Sequence, residues 1–285
     1  MKLAQKFALA YIRTRLKIIS MISPRRAAKE AFTLFCTPQY RHNKPLTDLF
    51  EKANKLNFRF GEYDISGFSW NTSGTKRILI AHGFESSAAN FEHYIAALIE
   101  KNCAVFAVDA PAHGRSSGKQ VNALVYKQLL THLHETYGPF DGSLGHSFGG
   151  LALSLAVADL PPDPNYRMVL IAPATETTTV IRQFLEFVRL RNPKVKQHMI
   201  NIIHDLSGQS LEWFSVKRAL TAIPGSVVWV HDTMDDVTPF KDAEAILEYN
   251  LPNVEFMATT GLGHRKIYRD ALVGARVIAF LTEDQ

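Results

Sequence analysis

Ser147 stands in the hexapeptide Gly145-His146-Ser147-Phe148-Gly149-Gly150, between an apolar stretch and a helical one, LALSLAVADL. A serine in a G-x-S-x-G pattern at a strand-to-helix junction has the setting of a nucleophile, because the sharp turn lifts its hydroxyl clear of the sheet at a helix N-terminus. Glycines at 145 and 149 permit that turn and leave room around it. A serine hydroxyl is a poor nucleophile until a base takes its proton. Of the eleven histidines, His264 is placed for that task, in Thr-Thr-Gly-Leu-Gly-His-Arg directly after the last strand-like run. Gly261 and Gly263 let the backbone turn there and set an imidazole over the end of a sheet. His93, His198 and His204 sit in amphipathic helical segments suited to surface or rim roles. His132 and His134, two apart on one helix, face different ways.

An acid must hold the imidazole in the tautomer that can accept the serine proton. The run SVVWV leads into His231-Asp232-Thr233-Met234-Asp235-Asp236-Val237-Thr238-Pro239, where three carboxylates compete. Asp232 is nearest the strand, Asp235 and Asp236 lie in the loop, and residue chemistry alone does not separate them. Attack on a carbonyl also needs donors for the developing oxyanion. The backbone N–H of Phe148, next after the serine, is one. The loop after RILIA, His82-Gly83-Phe84-Glu85, supplies the second from Phe84, with Gly83 allowing close approach and His82 organising the loop.

These groups need a scaffold that brings strand ends together. Strand-like runs occur at 65–70, 77–81, 103–109, 140–145, 167–173, 226–232 and 254–259, with helical patterns at 87–101, 121–136, 148–159, 240–249 and 265–282. Alternation of this kind gives a mostly parallel sheet with helices on both faces. Asn71, Ser73 and Gly74 form a turn between the first two of these runs, so that pair is expected as an antiparallel hairpin. About fifty residues separate 167–173 from 226–232, more than a crossover needs. They are expected to hold two or three helices of their own, with Phe184, Phe187, Met199 and Trp213 either lining an apolar pocket or forming that segment's own core.

Four separated motifs in order, AHGF (81–84), DAPAHGRSSG (109–118), GHSFGG (145–150) and the closing pair DTMDDVTP (232–239) with GLGHR (261–265), make the chain resemble the α/β-hydrolase superfamily, its small serine esterase, lipase and aminopeptidase-like members. Ala112 stands where the second motif usually has glycine. The resemblance covers roughly residues 58–285 and implies an α/β fold of about eight strands, the second antiparallel, with residues 57–60 beginning the eighth and a small helical cap inserted at about 174–220. It breaks the tie among the carboxylates in favour of Asp235, four residues before Pro239, and leaves Glu176 as a less usual alternative. It implies a catalytic Ser147, His264 and Asp235, an oxyanion site at Phe84 and Phe148, and no cofactor or metal. No G-x-G-x-x-G or G-x-x-x-x-G-K-[ST] loop occurs. The expected activity is that of a serine hydrolase acting on a small-molecule acyl ester. Thioester cleavage and acyl transfer use the same machinery, and a non-catalytic binding protein on this fold is the alternative of a different class.

Composition limits the partners. The 285 residues are 46% hydrophobic and 21% charged, which excludes disorder as the main state. Eight of the 32 Lys and Arg, and none of the 27 acids, lie in residues 1–29, so the rest of the chain is three negative. That balance gives no reason to expect nucleic acid as a partner of the body. Cys36 and Cys103 lie in apolar surroundings without metal-ligand spacing and are expected as small buried hydrophobes. No apolar run is long enough to span a bilayer, and FALAYI before Arg13 is too short for a secretory core, so a cytoplasmic setting is expected. Residues 1–57 are expected as an N-terminal helical basic arm. Within 1–22, Lys2, Lys6, Arg13 and Lys17 share one side of a helix. Phe7, Tyr11, Ile18 and Ile22 lie opposite, with Leu3 and Met21 beside them. That apolar side is expected to dock on protein, with contact to an anionic membrane surface as the alternative.

Overall fold

Successive apolar runs separated by amphipathic helices build an eight-stranded sheet. The computed structural model describes residues 3–42 and 45–283. Its strands are β1 (Asn54–Phe60), β2 (Tyr63–Trp70), β3 (Lys76–Ala81), β4 (Cys103–Val108), β5 (Gly142–His146), β6 (Arg167–Ile171), β7 (Ser226–Asp232) and β8 (Val254–Thr259). The helices are α1 (Leu3–Ile22), α2 (Pro24–Phe35), α3 (Asp48–Glu51), α4 (Glu92–Glu100), α5 (Ala123–Tyr137), α6 (Phe148–Val157), α7 (Thr177–Phe187), α8 (Pro193–Ser207), α9 (Val216–Leu220), α10 (Phe240–Leu247), α11 (Gly263–Lys266) and α12 (Ala271–Thr282). The chain divides into two units, Met1–Thr37 with Glu176–Phe214, and Pro38–Thr175 with Ser215–Gln285.

The larger unit holds the whole sheet, in the order β1-β2-β4-β3-β5-β6-β7-β8. β2 pairs antiparallel with β1 and β4, and every other pairing is parallel. β4 (CAVFAV) is buried along its full length, as expected of a parallel strand covered on both faces. β1 (NKLNFRF) alternates exposed and half-buried residues, and its Lys55 and Arg59 discourage pairing at that edge. β1 begins at Asn54, so the boundary expected at 57/58 falls inside it. Phe68, Ile78, Ile80, Phe91, Ile95, Val105, Leu144, Val169, Val228 and Phe280 share one core cluster.

The hairpin expected between residues 65–70 and 77–81 does not form. β4 lies between β2 and β3, and the hairpin is instead β1–β2, closed at Gly61 and Glu62. The turn at Asn71–Gly74 exists, with the Gly74 N–H donating to the Asn71 carbonyl at 2.8 Å. It is anchored to the start of β4, however. Asn71 Nδ2 donates to Asn102 Oδ1 and to the Cys103 carbonyl, and a methyl on Gly74 would lie 2.4 Å from the Ala104 nitrogen. Those anchors carry the chain past β4, and the apolar run CAVFAV takes the place beside β2. The helix expected over 265–282 is broken at Asp270, whose carboxylate accepts from the N–H groups of Leu272 and Val273 and so starts α12 afresh.

In the smaller unit Ser23 caps α2, accepting from the Arg26 N–H, and Pro24 takes the first helical position, where its missing N–H costs nothing. Ala27, Ala28 and Ala31 are fully buried, and such small side chains let α2 pack closely on α8. α8 contributes Val195, Met199 and Ile203 to the interior. Phe35 meets Phe184 edge-on at 5.1 Å. Met199 thus belongs to this unit's own core, and Phe187 is 54% exposed. α1 turns Leu9, Ile12, Leu16 and Ile19 inward. It is tied down by Arg15–Glu30 at 3.0 Å, by Arg13 donating to the Phe187 carbonyl, and by Asn192 donating to the Ser20 carbonyl. The apolar side expected to dock on protein, Phe7, Tyr11, Ile18 and Ile22, is exposed on the single chain. α1 carries two apolar stripes, and the fold uses the aliphatic one. Lys2, expected in the basic stripe, and the side chain of Leu3 lie outside the described residues.

Candidate active site

β5 ends in a turn that only a tightly packed junction can hold. Ser147 has φ 54° and ψ −123°, a conformation costly for any residue with a Cβ. A methyl on Gly145 would lie 2.7 Å from the Gly150 Cα, and one on Gly149 would lie 2.4 Å from the carbonyl oxygens of Ala81 and His82. Both positions therefore require glycine for close packing of α6 against β3 and β5. The Ser147 N–H donates to the Ile171 carbonyl at 3.1 Å and the Ala174 N–H to the Ser147 carbonyl at 3.0 Å, which fixes the turn from the neighbouring strand.

Ser147 Oγ lies 2.9 Å from His264 Nε2, and His264 Nδ1 lies 2.8 Å from Asp235 Oδ2. All three residues are buried. Asp235 is held by its own loop: Oδ1 accepts from the N–H groups of Val237 and Thr238, both at 2.8 Å, and Oδ2 from the Thr238 hydroxyl at 2.9 Å. Burial raises its pKa, but the hydrogen bond and charge of His264, with the two N–H groups, outweigh it and hold the carboxyl below its ordinary value. The other carboxylates lie elsewhere. Asp232 accepts from Met234 N–H, Thr259 hydroxyl and Leu262 N–H, joining the ends of β7 and β8 beneath the loop that carries His264. Asp236 is exposed. Glu176 precedes α7 in the other unit.

The loop after β3 lies against the serine. A methyl on Gly83 would stand 3.0 Å from Ser147 Cβ and from His146 Nδ1. The rings of Phe84 and Phe148 meet edge-on at 5.6 Å. The N–H of Phe148 opens α6, at a helix end whose first N–H groups have no partner within the helix. His82 is buried in the loop, its Nδ1 donating to the Gly83 carbonyl at 2.8 Å and its Nε2 accepting from the Ala110 N–H at 2.9 Å. Burial pushes its pKa down to about 4, so it serves here as a neutral brace. The 109–118 loop braces the same segment. Asp109 Oδ1 accepts from the Ala88 N–H, and His113 Nε2 from the Glu85 N–H. Ala112 takes φ 65°, the left-handed conformation for which glycine is better suited.

Two contributors escape the sequence reasoning. His146, the residue before the serine, reaches His264, its Nε2 donating to the His264 carbonyl at 3.2 Å. Among the described residues its buried Nδ1 has no hydrogen-bond partner. Thr238 Oγ1 lies 2.9 Å from Asp235 Oδ2, 3.1 Å from His264 Nδ1 and 3.2 Å from the Ala172 carbonyl. The only signals are adjacency to Ser147 for the first and to Pro239 for the second. Among the described residues no group of three or more His, Cys, Asp and Glu side chains is arranged to hold a metal ion. Cys36 and Cys103 are buried free thiols, and burial pushes Cys36 up to about 12.

A family model described as serine aminopeptidase, S33 matches residues 73–219, half of the chain, including Ser147 and the loops at 82–84 and 109–118. No curated protein matches. An esterase of Pyrococcus furiosus superposes with a TM-score of 0.64 at 18% identity, covering 85% of this chain and 96% of its own. A thioesterase domain from the curacin biosynthetic pathway gives 0.57 at 14%, covering 81% and 99%. A monoacylglycerol lipase of Paleococcus ferrophilus gives 0.56 at 20%, covering 76% and 98%. At these identities the likeness is one of fold. The sheet order with β2 reversed, the strained serine between β5 and α6, and the match over half its length place this chain in the serine aminopeptidase S33 family of α/β-hydrolases.

Proposed function

We propose that the protein hydrolyses a carboxylic ester through an acyl-enzyme, with Ser147 as nucleophile, His264 as general base and acid, and Asp235 as the residue that orients His264. The observation that carries this reading is the unbroken hydrogen-bond chain Ser147 Oγ–His264 Nε2 and His264 Nδ1–Asp235 Oδ2, at 2.9 and 2.8 Å. His264 Nδ1–H donates to Asp235, which leaves the Nε2 lone pair to accept the serine proton. Ser147 Oγ attacks the acyl carbon, and the proton passes to Nε2. The N–H groups of Phe84 and Phe148 hold the oxyanion as the carbonyl becomes tetrahedral. His264 returns the proton to the departing alcohol. Water, deprotonated by the same imidazole, then releases the acid and restores the serine. The test is an activity panel of acyl esters and thioesters on wild type and Ser147→Ala, with fluorophosphonate labelling. The substitution should remove label and activity together, lowering kcat on the order of a thousandfold or more. Wild-type turnover in the variant would remove Ser147 from the mechanism.

A further inference from the structure

α1 runs from Leu3 to Ile22 with one apolar stripe turned inward and a second in solvent. Phe7, Tyr11, Ile18, Met21 and Ile22 are 67%, 66%, 49%, 70% and 81% exposed. At the helical period these five fall within about 100° of one another and extend over about 22 Å of axis. A helix of a globular protein ordinarily hides such a face. Lys6 and Lys17, both exposed, flank the stripe on one side and Arg15 on the other. Arg25 and Arg26 follow just beyond its end, also exposed. Residues 1–37 carry eight Lys and Arg against one acid, Glu30.

We propose that α1 binds an anionic lipid surface, lying in its plane with Phe7, Tyr11, Ile18, Met21 and Ile22 sunk below the headgroups. Apolar insertion and attraction between cations and anionic headgroups are the two components of such binding, and both are present on one helix. Lysine stems can lie along the apolar boundary while their ammonium groups stay among the headgroup anions. A second copy of this chain is a poor occupant, because it would bring its own Lys6, Lys17 and Arg15 against the same rim. Among the described residues no helix is long and apolar enough to cross a membrane, so the contact is one of surface.

Co-sedimentation of the full chain with phosphatidylcholine–phosphatidylserine vesicles, and with phosphatidylcholine vesicles alone, tests this. The wild type should bind the mixed vesicles, weaken steeply as salt rises, and bind the neutral vesicles far less. Each cation near an anionic surface contributes about fivefold, so Lys6→Gln/Lys17→Gln should lose about twenty- to thirtyfold and flatten the salt dependence. Tyr11→Ser/Ile18→Ser should lose binding even at low salt, with Tm unchanged because both side chains are already exposed. Failure of the wild type to bind mixed vesicles, or equal binding by Tyr11→Ser/Ile18→Ser, overturns the proposal. So does a wild-type dimer by light scattering that the same substitutions dissociate.

Discussion

Replacing Asp235 by asparagine tests the acid assignment, because the loop dictates how the amide must sit. The Oδ1 position faces two N–H donors, those of Val237 and Thr238, so the amide oxygen must take that place. The NH2 group is then left at the Oδ2 position, 2.8 Å from His264 Nδ1. Two N–H groups cannot face each other there. His264 must turn its Nδ1 lone pair toward the amide and carry its proton on Nε2, against Ser147 Oγ. That tautomer cannot accept the serine proton, and the imidazolium formed during attack loses its carboxylate. A loss of about 10⁴ in kcat is expected, equivalent to about 5–6 kcal/mol in the barrier. KM should change little, since Asp235 is buried beneath His264 and the loop survives. Asp232→Asn is the control. Asparagine there cannot accept all three donors from Met234, Thr259 and Leu262, so stability should fall by about 1–3 kcal/mol while most of kcat remains. The assay is steady-state hydrolysis of a soluble acyl ester, with urea unfolding of each variant. A kcat for Asp235→Asn within tenfold of wild type, or Asp232→Asn as the more damaged enzyme, would refute the tautomer argument.

Other consequences follow from the same geometry. Burial pushes the pKa values of His82 and His134 down to about 4 and those of His113 and His146 to about 3, against an ordinary 6.5. The unfolded chain therefore binds protons that the folded one refuses, so stability is complete above about pH 6.5 and falls as pH drops toward 4, by about 1.4 kcal/mol per pH unit for each histidine. Urea midpoints measured across that range check it, and a flat profile would contradict it. Gly149→Ala should destabilise by about 1–3 kcal/mol or more, because its methyl meets the backbone carbonyls of Ala81 and His82 at 2.4 Å; thermal unfolding reads the loss. His146→Phe keeps a ring beside Tyr268 but removes the bond to the His264 carbonyl. It should cost about tenfold in kcat at nearly constant KM.

Much of this architecture is legible in the chain because its signals are local. The strand-like runs at β3, β4, β6 and β7 are apolar on both faces, which marks central strands wherever they pair. Gly145, Gly149 and Gly263 mark the turns that carry Ser147 and His264, because a backbone needing glycine declares it by residue type. Three features depended on tertiary structure. β2 found β4 rather than β3, since a turn sets where the chain bends while pairing is decided by which apolar run competes for the edge. Asp232, Asp235 and Asp236 share one loop and differ in role by direction alone. The N–H groups of Val237 and Thr238 aim Asp235 at His264, whereas Asp232 is spent on β8. α1 presents two apolar stripes whose periodicity is equally good. Helical spacing reveals that a face exists, but only the partners available, α2 and the helices packed with it, determine which face is covered and which is left to meet something else.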